Sequence, residues 1–305
     1  MTHRLHWIFI GGLFAGCTSA PDPVGTLPDH FDENLDVITR SVSHPCGADA
    51  DTDGDGMIDV HYTYTYDAQG RSRQDVGKDL TGAVYDQIDY TWDNAGHLIE
   101  QVDDFVFVHL KQDAISTFDT LGRRVEFRDD EWNDTTAQFS DVITYADFDD
   151  HGHAAHAAQT IQNLVKNTST MQTRSYGYDE LGRRITLDVR DATGGLVQGW
   201  QYVYDDTART VTTTLTEPTD AQGNQGFNAV YLDTYDADYH WLSTHEVDPN
   251  PDGTVSETVD TQNQWSGDRE LSSMTTWTGI VMQNSAITYK YQCNASQAAG
   301  RQVTR

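Results

Sequence analysis

Basic side chains are scarce in this chain of 305 residues: 19 lysines and arginines stand against 48 aspartates and glutamates, a net charge of -29. Such a surface repels phosphate backbones and attracts cations, which excludes nucleic acid as a partner. Hydrophobic residues make up only 37% of the chain, yet 10% of it is aromatic. Simple disorder is poor in aromatics and is excluded with it; the combination fits many half-buried strands, each with one wet face. The motifs of familiar enzymes are missing as well. There is no Gly-x-Ser-x-Gly elbow, His-Glu-x-x-His helix, phosphate loop or CxxC pair. Acid pairs such as Asp103-Asp104 and Asp205-Asp206 abound, but nothing selects one of them for acid–base work, and the expectation is a protein that is not an enzyme. The length suits two average domains or one long repeat array.

Cysteine occurs three times, at 17, 46 and 293. Arg4 precedes an apolar run from Leu5 to Gly16, too short for a membrane span of about 20 residues and laid out as a secretory signal. The run ends in Leu13-Phe14-Ala15-Gly16-Cys17, which resembles the bacterial lipobox with Phe14 in the usual leucine slot. The resemblance implies that residues 1–16 are removed, that Cys17 becomes an acylated N-terminus, and that a lipid anchor joins the protein to a membrane of the bacterial cell envelope. Thr18 matches the pattern sorted to the outer membrane. An ordinary signal peptide cleaved near Ala20 is the alternative. Residues 17–45 hold four of the seven prolines and read as a tether. Cys46 and Cys293 then remain as an expected disulfide pair in an oxidising compartment, worth about 5 kcal/mol over so long a loop. The alternative is two separate buried thiols, because a bridge requires Cα atoms within about 7 Å.

Asp51-Thr52-Asp53-Gly54-Asp55-Gly56-Met57-Ile58-Asp59 places carboxylates at alternate positions with a glycine at the sixth. Calcium takes about six to eight oxygens, and the glycine allows the turn that wraps the ion. The expected ligands are Asp51, Asp53, Asp55, Asp59 and the carbonyl of Met57, with Ca2+ in a structural role. The stretch resembles the loops of EF-hand-like, dockerin and thrombospondin type 3 repeats. It departs where Tyr62 replaces the last bidentate acid and where strand-like sequence replaces the flanking helices. Residues 46–60 are read as a calcium-loop cap.

From Tyr62 onward an aromatic-Asp-x-x-Gly-basic pattern recurs: Tyr66-Asp67 with Gly70, Trp92-Asp93 with Gly96, Phe118-Asp119 with Gly122, and Tyr178-Asp179 with Gly182. Further anchors at Phe148, Tyr204, Tyr235, Trp265 and Tyr291 extend it at intervals of 26 to 31 residues, the mark of a repeat architecture. Before each anchor, aromatic or branched residues alternate with polar ones, as Tyr62, Tyr64 and Tyr66 do; period two is a strand with one apolar face. The aspartate forms an Asx-type turn and the glycine supplies positive φ. The pattern resembles the YD repeat of the RHS and teneurin-like family, whose hairpins join into a spiralling sheet. The resemblance implies an all-β array over 61–292, followed by a tail, 293–305. The array is short for a closed cocoon, so the expectation is a curved or spiralling sheet that stays open. An outer-membrane barrel conflicts with outward positions rich in Asp, Thr and Gln.

His151, His153 and His156 with Asp147, Asp149 and Asp150 form the densest metal-capable cluster, but His153 stands in a repeat turn where Arg123 and Arg183 stand in others, and solvated turn histidines are the simpler account. The expected function is a cell-envelope scaffold or binding protein with a glycan or protein ligand, Trp132, Trp200, Trp241 and Trp277 being candidate stacking surfaces. A glycan-active enzyme on the same scaffold, or an accessory partner of a larger RHS-type protein, is the alternative.

Overall fold

A computed structural model describes residues 44–218, 226–249, 254–267, 269–279 and 283–291. The strands are β1 (Gly47–Asp51), β2 (Val60–Tyr66), β3 (Ser72–Asp79), β4 (Val84–Trp92), β5 (Leu98–Phe105), β6 (Leu110–Phe118), β7 (Arg124–Asn133), β8 (Thr136–Phe148) and β9 (Ala154–Asn163). They continue as β10 (Thr168–Tyr178), β11 (Arg184–Asp191), β12 (Leu196–Asp205), β13 (Thr210–Thr216), β14 (Asn228–Tyr235), β15 (Trp241–Pro249), β16 (Val255–Ser266), β17 (Arg269–Thr278) and β18 (Gln283–Lys290). Every strand pairs antiparallel with its sequence neighbours. No α-helix occurs among the described residues; one short 3-10 turn, Val106–Val108, joins β5 to β6.

The sheet is closed, which corrects the expectation of an open one. β1 pairs with β2 on one side, Ala50 opposite Val60, and with β18 on the other, Ala50 opposite Ile287. Eighteen strands thus form a ring in simple up-and-down order. The closing strand is Gly47-Ala48-Ala50 with two aspartates, poor in the branched and aromatic residues that mark strands. Residues 46–60 are accordingly a seam strand plus a loop. The seam needs small residues: Ala48, 0% exposed, lies opposite both Tyr62 and Tyr289. On the outer side Asp49 pairs with His61 of β2 and Lys290 of β18, bridging all three strands.

Period two sets the two walls. Val60, Tyr64, Tyr90, Phe127, Ile143, Leu187, Tyr202, Val211 and Tyr289 are buried on the inner face. The alternate positions are polar and face water or lie half-buried: His61, Thr63 and Thr65 on β2, Thr210, Thr212, Thr214 and Thr216 on β13, Thr258, Asp260, Gln262 and Gln264 on β16. No described helix is long and apolar enough to cross a membrane. Outward positions are mostly Thr, Asp, Gln and Ser, though Met171, Val203, Val230, Leu232 and Met274 also stand exposed there.

Candidate functional site

The repeat turns gather at one rim. In each, the aspartate carboxylate accepts two backbone N–H groups: Gln69 and Arg71 on Asp67, Ala95 and His97 on Asp93, Leu121 and Arg123 on Asp119, Leu181 and Arg183 on Asp179. Its second oxygen takes the basic side chain, as Asp179 Oδ2 takes Arg183 Nε at 2.8 Å and Asp93 Oδ2 meets His97 Nδ1 at 2.8 Å. At Asp119 the N–H of Arg123 holds the carboxyl below its ordinary value. Gly70, Gly96, Gly122 and Gly182 all have positive φ. A register shift just before the anchor, at Tyr66, Trp92, Phe118, Tyr178, Tyr235 and Trp265, re-aims the ring and bends the strand.

The basic residue does more than close its own turn. It stacks on the aromatic anchor of the next repeat: Arg71 over Trp92, His97 on Phe118, Arg123 over Phe148, His153 on Tyr178, Arg183 over Tyr204, His240 on Trp265 and Arg269 over Tyr291. His44 on Tyr66 begins the series. Tyr66, Trp92, Tyr178, Tyr204, Trp265 and Tyr291 each donate their polar tip backward to an earlier backbone carbonyl, as Tyr178 Oη does to Ala154 and Trp92 Nε1 to Ser72. The rim is therefore a belt of cation–ring and ring–ring contacts. Reading single copies showed the turn and the core plug but missed this link, because the partners lie in different repeats. The clue was the basic residue that stands five places after the aromatic in most copies.

The acidic loop lies at the seam, between β1 and β2. Asp51, Asp53 and Asp59 bring carboxylate oxygens within 4.8 Å of one another. Asp51 accepts the N–H groups of Gly54 and Gly56 at 2.6 and 2.8 Å, and Asp59 Oδ2 accepts both the N–H and the hydroxyl of Thr52. Those contacts hold Asp59 below its ordinary value, the Thr52 N–H first. Asp55 is spent on the N–H of Met57 at 2.7 Å and is not in the converging group. Three hard oxygen donors on a wrapped backbone fit calcium. Asp236, Asp238 and His240 form a second convergent group, but it is one of the repeat turns, with His240 engaged by Asp236 and Trp265. His151, His153 and His156 do not converge: His153 sits in the belt and His156 faces outward from β9. Cys46 is disulfide-bonded, and its N–H bonds to the Lys290 carbonyl; Cys293, Cys17, the signal segment and the tether before residue 44 lie outside the described residues.

The inner wall carries acids among its rings. Burial pushes Asp86 up to about 6, Asp129 up to about 6 and Glu246 up to about 7, the last with the charge of Asp248 adding to it. A carboxyl raised in the fold binds more protons than its unfolded counterpart, so stability is greatest below the ordinary carboxylate range and is lost as pH rises through the folded values. We expect the barrel to melt at a lower temperature at pH 8 than at pH 5, each of these groups contributing on the order of 2 kcal/mol. Below about pH 4 the turn aspartates, held low, reverse the trend. A melting temperature that climbs steadily from pH 5 to pH 8 contradicts the buried acids. Trp200 stacks with Tyr202 and Tyr231 on the same wall, whereas Trp132 lies outside beneath Lys111.

The fold so defined is a closed antiparallel β-barrel whose hairpins turn on an aspartate and a glycine. No family model and no curated protein matches the chain. Among solved structures, similarity is found to a chain of the TcdB2-TccC3-Cdc42 crystal structure, with 13% identity and a TM-score of 0.35 over 81% of this chain. A porin-like protein from Bacteroides uniformis aligns with 11% identity and a TM-score of 0.38 over 83% of this chain and 99% of its own. A chain of the Photorhabdus luminescens Tc holotoxin pore aligns with 12% identity and a TM-score of 0.29 over 80%. This chain spans 16% of the length of each of the two Tc chains.

Proposed function

We propose that the protein is a non-enzymatic binding scaffold of the bacterial cell envelope, tethered through lipidated Cys17, stabilised by calcium at its seam, and offering its inner wall to a glycan or protein ligand. The observation that carries this reading is the make-up of the inner face, where rings such as Tyr64, Tyr90 and Tyr202 stand among carboxylates such as Asp75 and Asp86 on a closed sheet. Stacked rings such as Trp200, Tyr202 and Tyr231 suit sugar faces. An outer-membrane setting comes from the Cys17 segment, and two or three acyl chains anchor stably where one does not.

Cys17→Ser is expected to move the protein from the membrane to the soluble fraction; an unchanged membrane fraction refutes the anchor. Glycan and peptide arrays probed with calcium present are expected to retain the protein without turnover. One observation favours a glycan-active enzyme as the second reading. Glu246 is raised to about 7 and lies beside Asp248, itself opposite Glu257, and glycoside hydrolysis uses one such acid with a second carboxylate. Cleavage of a bound glycan that Glu246→Gln abolishes replaces the first reading with this one.

A further inference from the structure

Between β2 and β5 the inner wall holds more hydrogen-bond acceptors than donors. Asp75 lies opposite Tyr64 on one side and Ile88 on the other, and Ile88 lies opposite Asp103. Asp86 stands two residues before Ile88 on β4, and Gln101 two before Asp103 on β5, so the four polar side chains share the inner face. With neighbouring strands about 4.8 Å apart, Asp75 and Asp103 are separated by about 10 Å of wall. Tyr90 Oη donates to Asp75 Oδ2 at 3.0 Å, Tyr62 Oη to Asp86 Oδ2 at 2.9 Å, and Gln101 Nε2 to both oxygens of Asp103 at 3.1 Å. Those donors are then used up. Asp75 is 4% exposed and Gln101 8%, and neither Asp75 Oδ1 nor Gln101 Oε1 receives a hydrogen bond. A buried acceptor left in that state costs about 1–3 kcal/mol, more when charged. Gly77 lets the Asp86 carboxylate and the Tyr62 ring sit where they do, for a Cβ there would run into both.

We propose that this patch binds a linear aliphatic polyamine, with ammonium groups donating to Asp75 Oδ1 and Gln101 Oε1 and the rings of Tyr62 and Tyr90 flanking the chain. The spread of the acceptors decides against a single metal ion. The described groups whose oxygens or nitrogens converge within 4.8 Å are the seam loop and the Asp236 turn, not these residues. A lysine-rich peptide brings its own carbonyl acceptors to a wall already oversupplied with them; a polyamine brings donors alone. Ammonium groups also gain from tyrosine faces. Burial, and after it the charges of Asp86 and Asp103, raises Asp75 well above its ordinary value; a bound cation relieves that repulsion. Asp86 is two residues from the start of β4, so the patch lies near the rim opposite the belt. It is separate from the seam loop and does not depend on the lipid anchor.

The test is calorimetric titration of spermidine into the calcium-loaded full chain, so that the seam loop is already occupied. Saturable binding with one spermidine per chain is expected. Asp75→Asn should weaken it at least tenfold, and Gln101→Leu, which removes no charge, several-fold; circular dichroism confirms that the variants are folded. Asp53→Asn should leave it unchanged. Binding that Asp75→Asn and Gln101→Leu leave intact is the diffuse attraction of a chain carrying -29, and it overturns the site. So does the absence of saturable heat, or capture of a lysine-rich peptide with no binding of spermidine.

Discussion

Gly182→Ala is expected to destabilise the barrel by about 2–4 kcal/mol, and Gly96→Ala by only about 1–2 kcal/mol, read from urea denaturation midpoints. Both glycines have positive φ, +80° and +98°, so both substitutions carry the left-handed backbone penalty of an L side chain. They differ in what the new methyl group meets. At Gly96 there is nothing within 4 Å; at Gly182 the methyl would lie 2.6 Å from His153 Cε1. His153 cannot step aside freely. Asp149 holds its Nδ1 at 3.0 Å and its ring stacks on Tyr178 at 4.8 Å, and such a ring contact is worth about 0.5–1.5 kcal/mol. The Gly182 variant therefore damages a joint between two repeats, whereas the Gly96 variant strains one turn. Equal losses at the two positions would mean that the belt contributes nothing beyond its individual turns.

Chelation of calcium is expected to lower the melting temperature by about 6 °C. At calcium a hundredfold above the dissociation constant, the bound ion contributes about 2.7 kcal/mol, and for a domain of this size each kcal/mol moves the midpoint by about 2–4 °C. The effect should be global because of where the loop sits. Asp51 ends β1, the N–H of Asp59 bonds back to the Ala50 carbonyl, and Gly54 packs against Asn284 of β18. Releasing the loop thus loosens both pairings of the seam strand. Asp51→Asn should abolish the calcium response without a chelator; a melting point indifferent to both treatments sinks the calcium reading.

The repeat unit was legible in the sequence because its physics is local. Tyr178, Asp179, Gly182 and Arg183 act within a few residues of one another, and alternation before Tyr66 or Trp92 shows directly which side chains turn inward. Closure was not legible. It depends on Ala48 and Ala50, whose smallness reads as a weak strand signal when the chain is scanned alone and becomes a requirement only between Tyr62 and Tyr289. The acidic loop was legible as spacing, but the assignment of Asp55 was not: its carboxylate turns to the Met57 N–H, a contact of the folded loop. The inner acids were invisible for a related reason. Asp75 and Glu246 look like any of the 48 acidic residues until register places them on the buried side.

The double pairing of β1 has one more consequence. In a ring of strands joined only to their neighbours, no strand is first except by the accident of where the polypeptide begins. The Cys46 N–H already bonds to the Lys290 carbonyl, so a short peptide linking those two points, with a new break in the exposed turn between Asn163 and Thr168, would give a circularly permuted chain with the same neighbours throughout. The described strands leave no free edge on which a second copy could build, and that protects a threonine-rich outer wall from edge-to-edge aggregation.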